Sequence, residues 1–272
     1  MSELFADAKP SLKTNLIIEG DCLEVMKTFP RKSLDLVLTD PPFFLPATHY
    51  QSRVQYQRNF ADLSPLRVFW SAVTIEVRRI LKPNGHFLTF CNCDSYPVFF
   101  EPMYNNFTKL VSLVWNKKRI GLGNIWRHQH ELIIAARNDD FKFNDTGKMF
   151  SDVISEEASL SEDREHPVEK PWKMLVKLIE PVTFKGDVVL DPFCGSGTTC
   201  LAAQILDRQF IGIELNHNYV DIARKKCHVN SQTLDAMNLT ECDPKPLIND
   251  YRINSEPNGQ FMKIPEQKET NP

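Results

Sequence analysis

The segment from 188 to 214 constrains the fold of this 272-residue chain more than any other segment. A short apolar run leads into the nonapeptide DPFCGSGTT, which begins at Asp191, and a second apolar run ends at Glu214. The pattern between them predicts a helix over about 198–206. A strand, a glycine-containing turn, a helix and a second strand form a βαβ unit, in which the two strands lie parallel and the crossover is right-handed.

Short apolar runs of the same kind recur along most of the chain. Runs that end at turn residues are typical of buried parallel strands. Helices are predicted over about 64–81, 171–180 and 219–227. A hydrophobic fraction of 42% is enough for one large α/β domain with a parallel sheet. The predicted strands cover 15–19, 34–38, 86–90, 110–115, 131–136, 188–190 and 210–214.

Polar segments interrupt this pattern. We expect one domain over 1–228, with segments 44–63 and 116–165 inserted into it, and a polar tail over 229–272. The part from 139 to 165 is acidic and is predicted to be irregular. Long segments without regular structure are uncommon inside compact domains and are often functional.

Charge is distributed unevenly, although the formal net charge is only -3. From Arg53 to Arg137 there are twelve basic and five acidic residues, a net of +7. The segment 139–165 holds three basic and nine acidic residues, a net of -6. A basic region of this kind can bind anions locally, but two solvated faces of opposite charge explain the counts equally well.

The composition argues against several classes of protein. No apolar run approaches the roughly 18–20 residues of a membrane span, and the N-terminal residues lack the pattern of a secretory signal. The seven cysteines are odd in number, and Cys91-Asn92-Cys93 has no second pair at zinc spacing. We therefore expect a cytoplasmic protein with no membrane contact, no disulfide framework and no metal.

The glycine loop is suited to a nucleoside ligand. Gly195 and Gly197 permit positive φ angles and let a ligand approach the backbone closely. Glu214, at the end of the following strand, can accept hydrogen bonds from ribose hydroxyls. The loop lacks the Gly-Lys-Ser/Thr ending of triphosphate sites and the third glycine of dinucleotide sites. Considered alone, the loop is also consistent with a plain glycine turn before a helix.

A second candidate site, Asp40-Pro41-Pro42-Phe43, follows the predicted strand 34–38. Open α/β sheets bind their ligands at this carboxyl edge. The two prolines fix φ and provide no N–H donors, so a carboxylate and a rigid carbonyl can both accept hydrogen bonds from one NH₂ group. Phe43 offers a flat face on which an extruded base can stack. Alone, this tetrapeptide is equally consistent with a rigid turn and a buried Phe.

Four motifs together resemble the permuted β class of DNA amino-methyltransferases. Their FxGxG signature appears at 193–197, and the Asp-Pro-Pro-aromatic signature appears at 40–43, about 150 residues earlier. The segment 166–171, HPVEKP, resembles the HPxxKP element of that class, and 20–22, GDC, resembles its GD element. The resemblance covers roughly residues 15–228.

This resemblance implies a Rossmann-like fold, a twisted and mostly parallel sheet with helices on both faces, and S-adenosyl-L-methionine as the cofactor. The catalytic residues would be Asp40, Pro41, Pro42 and Phe43, with Phe43 in the place of the commoner Tyr. The implied cofactor-binding residues are Asp21, Cys22, Asp40, His166, Lys170, Pro171, Asp191, Pro192, Phe193, Gly195, Ser196, Gly197, Thr198, Thr199, Glu214, Leu215 and Asn216.

The resemblance also implies individual roles. Asp21 would contact the adenine of the cofactor, Glu214 its ribose, and Asp191 with the 193–197 loop its methionine part. Asp40 would accept hydrogen bonds from the target amine, and the methyl group would be transferred directly, without a covalent enzyme intermediate. Asp-Pro-Pro is more typical of adenine N6 enzymes than of cytosine N4 enzymes, so adenine N6 in double-stranded DNA is the expected target.

Target recognition in such enzymes usually lies between the two signatures. Segments 44–63 and 116–165 mix basic, aromatic and amide side chains, which can hold phosphates or contact base edges. Their small size favours a short recognition site, a homodimer, or both. The candidate DNA-binding residues are Arg53, Arg58, Lys117, Lys118, Arg119, Arg127, His128 and His130.

Three alternatives stay open at this level. One is a DNA cytosine N4 methyltransferase. Another is a methyltransferase that acts on RNA or on a protein amide, against which the permuted order and HPVEKP argue. The third is a binding module that kept the fold without catalysis, against which the intact Asp40 and Glu214 argue.

Overall fold

An eight-stranded mixed sheet forms the centre of the computed structural model, which describes residues 12–43, 63–121, 125–138, 144, 150–157 and 169–227. The strands are β1 (Leu16–Glu19), β2 (Leu34–Thr39), β3 (Leu81–Cys91), β4 (Lys109–Asn116), β5 (His130–Arg137), β6 (Val153–Ser155), β7 (Val188–Asp191) and β8 (Gln209–Glu214). Their spatial order is β1-β8-β7-β2-β3-β5-β4-β6. Strands from the two ends of the chain therefore lie side by side in one half of the sheet, where β8 and β7 are flanked by β1 and β2.

The pairing directions decide which strand ends meet. Strands β1, β8, β7, β2 and β3 are all parallel to their neighbours in this group. Strand β5 is antiparallel to both β3 and β4, and β6 is parallel to β4. The sheet is therefore mostly parallel, as predicted, and the carboxyl ends of its five parallel strands share one edge.

Helices cover both faces of the sheet, which confirms the Rossmann-like expectation. One core cluster contains residues of α1 (Cys22–Lys27), α2 (Leu63–Ile80) and α3 (Tyr96–Asn106), and the other contains residues of α4 (Trp172–Ile179), α5 (Thr198–Ile205) and α6 (His217–Lys226). Alternate strand residues belong to different clusters, since Val37 lies in the first and Leu36 and Leu38 lie in the second. The period of two along a strand sends successive side chains to opposite faces.

Two elements were not expected from the sequence, and β3 begins at Leu81, five residues before its predicted start. Helix α3 was not predicted, because Pro102 lies inside it, whereas Pro97 in its first turn is compatible with a helix. Strand β6 lies within 139–165, which was wrongly predicted to be irregular throughout. Two of its three residues are exposed and one is partly buried. They form a strand because they pair with the edge of β4. Segment 116–165 thus supplies β5 and β6 to the sheet itself.

Several expectations fall on other parts of the chain. The predicted loop over 44–63, except Leu63, and the predicted tail over 229–272 lie outside the described residues. Within the described ranges, no helix has both the length and the apolar character needed to cross a bilayer.

Trp70 of α2 anchors the core on its face of the sheet. Its side chain is fully buried, and its ring stacks on Phe99 of α3 with the centroids 4.3 Å apart. The ring of Phe87 in β3 lies 5.6 Å away, and the indole N–H donates a hydrogen bond of 3.2 Å to the carbonyl of Phe99. One aromatic cluster therefore joins two helices to the sheet.

Replacing this anchor should destabilise the fold strongly. Trp70→Ala is expected to lower the free energy of unfolding by about 3–5 kcal/mol, because the truncation leaves a large cavity. Val68→Ala is the matched control on the same helix, since Val68 is 72% exposed and should change stability by less than about 0.5 kcal/mol. Urea unfolding followed by circular dichroism measures both, and equal losses would contradict the anchoring role.

Candidate active site

Four carboxylates lie at the carboxyl ends of four neighbouring parallel strands. Asp21 follows β1, Glu214 ends β8, Asp191 ends β7 and Asp40 follows β2. Because the strands are adjacent in the order β1-β8-β7-β2, the four acids form a row along one sheet edge. Residues from both ends of the sequence thus come together, as the motifs predicted.

The turns on either side of Glu214 hold its carboxylate in place. The residue is 6% exposed, and its Oε2 accepts a hydrogen bond of 3.1 Å from the backbone N–H of Gly195. Its Oε1 accepts one of 2.7 Å from the N–H of Asn216. The N–H of Gly20 donates to the Glu214 carbonyl over 3.0 Å, so the turn that carries Asp21 lies directly beside it.

The glycine loop adopts the predicted positive φ angles, +52° at Gly195 and +84° at Gly197. Gly197 caps α5, and a β-carbon there would lie 2.9 Å from the Cβ of Ala223, which is closer than packing allows. A β-carbon at Gly195 would meet no atom within 4 Å. The backbone at Gly195 therefore faces open space, as a loop that cradles a ligand must.

Asp191 joins the loop to the opposite motif. It is 3% exposed, and its Oδ1 accepts hydrogen bonds from the hydroxyl of Thr39 (2.7 Å) and the N–H of Phe193 (3.1 Å). Burial raises the pKa of Asp191 to about 6, although hydrogen bonds from Thr199, Thr39 and Phe193 act in the opposite direction. The bond from Thr39 connects the last residue of β2 to the last residue of β7.

The other predicted cofactor residues lie around this edge, except His166, which lies outside the described residues. Asp21 caps α1, with its Oδ1 accepting from the N–H groups of Leu23 and Glu24. Burial raises the pKa of the Cys22 thiol to about 12, so the thiol stays neutral. Leu215 is exposed, and Phe193 is half-buried. Pro171, Pro192, Ser196, Thr198 and Thr199 are buried, and Asn216 caps α6.

The Asp40 side chain is 24% exposed, and its two oxygens differ in their surroundings. Its Oδ2 accepts a hydrogen bond of 2.6 Å from the ammonium group of Lys170. Its Oδ1 is shielded from solvent and has no hydrogen-bond partner among the described residues. Burial raises the pKa of Asp40, Lys170 opposes this effect, and Glu131 adds to it. Pro41 is buried, whereas Pro42 and Phe43 are partly exposed.

Glu131 is a site residue that the sequence did not reveal. It is the second residue of β5, and its Oε2 lies 3.1 Å from the ammonium nitrogen of Lys170. Its Oε1 lies 3.3 Å from the ammonium nitrogen of Lys117. Burial disfavours the charged form of Glu131, but these two ammonium groups hold its pKa below the usual value. Asp40, Lys170, Glu131 and Lys117 thus form a chain of alternating charge.

Glu169 is a second such residue. Its Oε1 accepts a hydrogen bond of 2.6 Å from the Thr198 hydroxyl and another from the ammonium group of Lys226. Lys226 also lies 3.3 Å from the hydroxyl of Ser196. Glu169 therefore contacts residues beside the glycine loop, while its neighbour Lys170 contacts Asp40. A Glu-Lys pair inside HPVEKP was the available signal, but sequence alone could not assign its partners.

The candidate DNA-binding residues that the structure describes cluster in the connection between β4 and β5. Asn116 pairs with His130, and the N–H of Lys117 donates to the carbonyl of Gln129 over 2.9 Å. Because β5 runs antiparallel to β3, its first residues lie at the edge where the parallel strands end. This connection therefore projects from the same edge as Asp40.

Within this connection the basic side chains differ in their surroundings. Lys117 is turned towards Glu131, whereas Lys118, His128 and His130 are exposed. Arg119 lies 3.8 Å from Glu157, and the Nε of Arg127 donates to the Gly121 carbonyl over 2.8 Å. Beside them Ile125 and Trp126 are each 88% exposed. Arg53 and Arg58 lie outside the described residues.

Comparison with known proteins decides the family. A family model for N6/N4 methyltransferases, described as DNA methylase, matches residues 34–225, most of the chain. The chain belongs to this family of DNA amino-methyltransferases. It is 30% identical over 264 residues to the type II methyltransferase M.HinfI of Haemophilus influenzae, a match that covers 85% of this chain and 73% of that protein.

Solved structures agree with this assignment. A complex of M1.HpyAVI with S-adenosylmethionine superposes with a TM-score of 0.58 at 25% identity, and covers 78% of this chain and 98% of that one. The PvuII DNA methyltransferase, described as cytosine-N4-specific, superposes with a TM-score of 0.62 at 18% identity over 84% of this chain and 93% of that one, which shows a shared fold.

The raised pKa of Asp191 predicts a pH-dependent cost to stability. Between its usual pKa of 3.8 and about 6, the folded chain keeps a proton that the unfolded chain has lost, so stability falls as pH rises through this window. Asp191→Asn cannot ionise, so we expect it to raise the free energy of unfolding at pH 7 by on the order of 3 kcal/mol. The gain should vanish below about pH 4.

Urea unfolding of the Asp191→Asn variant between pH 4 and 8 measures this effect. Asp94→Asn, at an exposed position, is the control and should show the pH dependence of the unmodified protein. A loss of stability at pH 7 in Asp191→Asn would contradict the argument, because it would mean that the buried charge is stabilising.

Proposed function

We propose that this methyltransferase transfers a methyl group from S-adenosyl-L-methionine to adenine N6 in double-stranded DNA. The row of carboxylates at the sheet edge carries the proposal. Its order, Asp21, Glu214, Asp191 and Asp40, parallels the order adenine, ribose, methionine sulfonium and target amine. A cofactor laid along the edge would present its methyl group to Asp40.

The residues at this edge fit that cofactor. S-adenosyl-L-methionine supplies an electrophilic methyl group on a positively charged sulfur. Carboxylates favour a cationic ligand, and Glu214, which the flanking backbone holds rigidly, suits ribose hydroxyls. The backbone at Gly195 faces open space beside Asp191, where the methionine part would lie. M1.HpyAVI, a structural relative, was solved with S-adenosylmethionine bound.

Asp40 would orient the target amine. Its Oδ1 has no partner among the described residues, and a shielded acceptor is stabilised when a donor reaches it. One N–H of the base would donate to Oδ1, and the Pro41 carbonyl would accept the other. S-adenosyl-L-methionine would supply its methyl group to the lone pair of this amine, and the leaving thioether sulfur would keep the electron pair of the broken sulfur–carbon bond. The methylated amine would then release one proton to water. Positioning and electrostatics supply most of the acceleration.

The target base would leave the duplex to reach this site. Asp40 Oδ1 lies shielded within the site, and enzymes that act on a base inside a duplex extrude it into such a site. Phe43 is partly exposed beside Asp40 and offers a surface on which the extruded base can stack. Adenine is proposed over cytosine because Asp, and not Ser, precedes the two prolines.

Removing the Asp40 side chain should abolish most of the activity. Asp40→Ala is expected to lower the single-turnover rate of DNA methylation by about 100-fold or more, because the amine loses its charged acceptor. Affinity for the cofactor should change far less, because Asp21, Glu214 and Asp191, which are proposed to line the cofactor, remain. Tritium transfer from labelled cofactor measures the rate, and equilibrium dialysis measures the affinity.

The same assay tests the substrate and the base. Labelled cofactor is offered with DNA, RNA and cell protein in parallel, and the methylated DNA is digested to nucleosides and analysed by mass spectrometry. Detection of N6-methyladenine would support the proposal. Detection of N4-methylcytosine would instead identify cytosine as the target base. Label found only in RNA or protein would contradict the proposed function.

The connection between β4 and β5 is the proposed DNA surface. It projects from the edge that carries Asp40, and Lys118, Arg119 and Arg127 place positive charge there. Such charges bind backbone phosphates and release counterions, which makes affinity fall with salt.

A homodimer stays a prediction that light scattering of the same samples would test.

Arg119→Ala should weaken binding to a short duplex. Each phosphate contact that is lost should reduce the slope of log affinity against log salt by about 0.9. Lys185→Ala is the matched control, because Lys185 precedes β7 at the opposite edge and is exposed. Fluorescence anisotropy at several salt concentrations measures both, and an unchanged slope in Arg119→Ala would exclude a phosphate contact by this residue.

A further inference from the structure

Lys170 has two carboxylate partners at the centre of the candidate site. Its ammonium nitrogen lies 2.6 Å from Oδ2 of Asp40 and 3.1 Å from Oε2 of Glu131. The same nitrogen lies 5.1 Å from the centre of the Phe90 ring, and the side chain is only 12% exposed. The two carboxylates raise the pKa of Lys170 despite its burial, so it is a permanent cation.

We propose that Lys170 and Glu131 are positioning residues for Asp40. Lys170 holds Oδ2 and leaves Oδ1 as the acceptor for the target amine. Glu131 offsets the charge of Lys170, so that the three groups together carry one negative charge. The inference rests on the proposed function, because it assigns Asp40 as the residue that receives the amine.

The geometry supports the separate roles of the two Asp40 oxygens. A carboxylate on a short side chain can rotate and exchange its oxygens, unless one of them is held. The 2.6 Å bond from Lys170 is short and charge-assisted, so it fixes the plane of the group. The other oxygen is shielded from solvent and has no partner among the described residues, a costly arrangement unless a ligand donates to it.

The need for Glu131 follows from the charge that develops during transfer. Positive charge moves from the sulfonium to the amine nitrogen, and a net negative site stabilises it there. Asp40 and Lys170 alone would form a neutral pair. Glu131 restores a negative charge beside Lys170, so the three inner groups carry one negative charge. Lys117 offsets this charge from the more exposed side, through the other Glu131 oxygen. In this series of alternating charges, Lys117 is therefore the outermost side chain and Asp40 the innermost.

This assignment differs from the role that the family resemblance implied for Lys170. A lysine that binds the cofactor would place its ammonium group against the cofactor. Here the two carboxylates and the Phe90 ring surround it. The neighbouring Glu169 is the member of HPVEKP that reaches the glycine loop.

A direct test measures the pKa of Asp40 itself by carbon NMR, with ¹³C-labelled aspartate and assignment by Asp40→Asn. The titratable or charged groups that face Asp40 are Lys170, Glu131, Cys91 and Asp191. Lys170→Met removes the opposing cation, so the pKa of Asp40 should rise. Glu131→Gln removes a neighbouring anion, so it should fall. This readout requires neither cofactor nor DNA.

Kinetics supply the second readout. At saturating cofactor, the single-turnover rate at the pH plateau should fall about 100-fold in Lys170→Met and about tenfold in Glu131→Gln. The acid limb of the pH–rate profile should move up in the first variant and down in the second. Cofactor affinity should change less than about threefold in both, since neither side chain is proposed to touch the cofactor.

Matched variants keep the test interpretable. Lys170→Arg retains the charge, so the Asp40 pKa and the acid limb should return towards those of the unmodified protein. Lys177→Met removes a lysine that pairs with Glu156 outside the site, and should change neither readout. Thermal unfolding of every variant shows whether the fold is retained. If Lys170→Met does not fold, Lys170→Gln, which also lacks the charge, replaces it in the comparison with Glu131→Gln.

Two results would overturn the inference. One is an Asp40 pKa that moves in the same direction, or not at all, in the lysine and glutamate variants. The other is a loss of cofactor affinity above about tenfold in Lys170→Met with an unchanged rate at saturating cofactor, which would make Lys170 a cofactor contact. An unmodified protein that does not methylate DNA would refute the proposed function instead, and the NMR titration would still decide the positioning role.

Discussion

The parallel pairing of β2 with β7 is the contact on which the rest of the site depends. These strands lie about 150 residues apart in sequence, yet Leu36 pairs with Val189 and Val37 with Leu190. The hydroxyl of Thr39 then donates to the Asp191 carboxylate at the shared edge. A parallel pair places both carboxyl ends at one edge, so this single register brings the tetrapeptide beside the glycine loop. A slip by one residue would turn every side chain of β2 to the other face.

Ionic contacts then fix the positions of the charged side chains at this sheet edge. The adjacent residues Glu169 and Lys170 extend to different parts of the site, one to Thr198 and Lys226 and the other to Asp40. Buried charges are costly unless they are paired, so each of these contacts also limits where its neighbours can move. The site therefore combines a rigid sheet edge with a few charged side chains that each have a defined partner.

The sequence predicted the parallel part of the fold well, because each parallel strand has its own apolar run and its own terminal turn. It predicted the antiparallel part less well. Glu131 was recognised only as the first residue of a predicted strand. No local pattern shows that β5 is antiparallel to β3, which places the start of β5 at the sheet edge that carries Asp40. Strand β6 exists only through its pairing with β4.

The sequence by itself determined the functional groups of the candidate site: an acid with two prolines, a glycine loop that needs positive φ, and an acid after the next strand. These are local requirements of backbone geometry and functional groups, and short motifs record them. Tertiary structure alone decided the row of four carboxylates and the partners of Lys170. Strand order and the pairing of charges depend on contacts between residues up to about 190 positions apart, and packing across the whole sheet selects them.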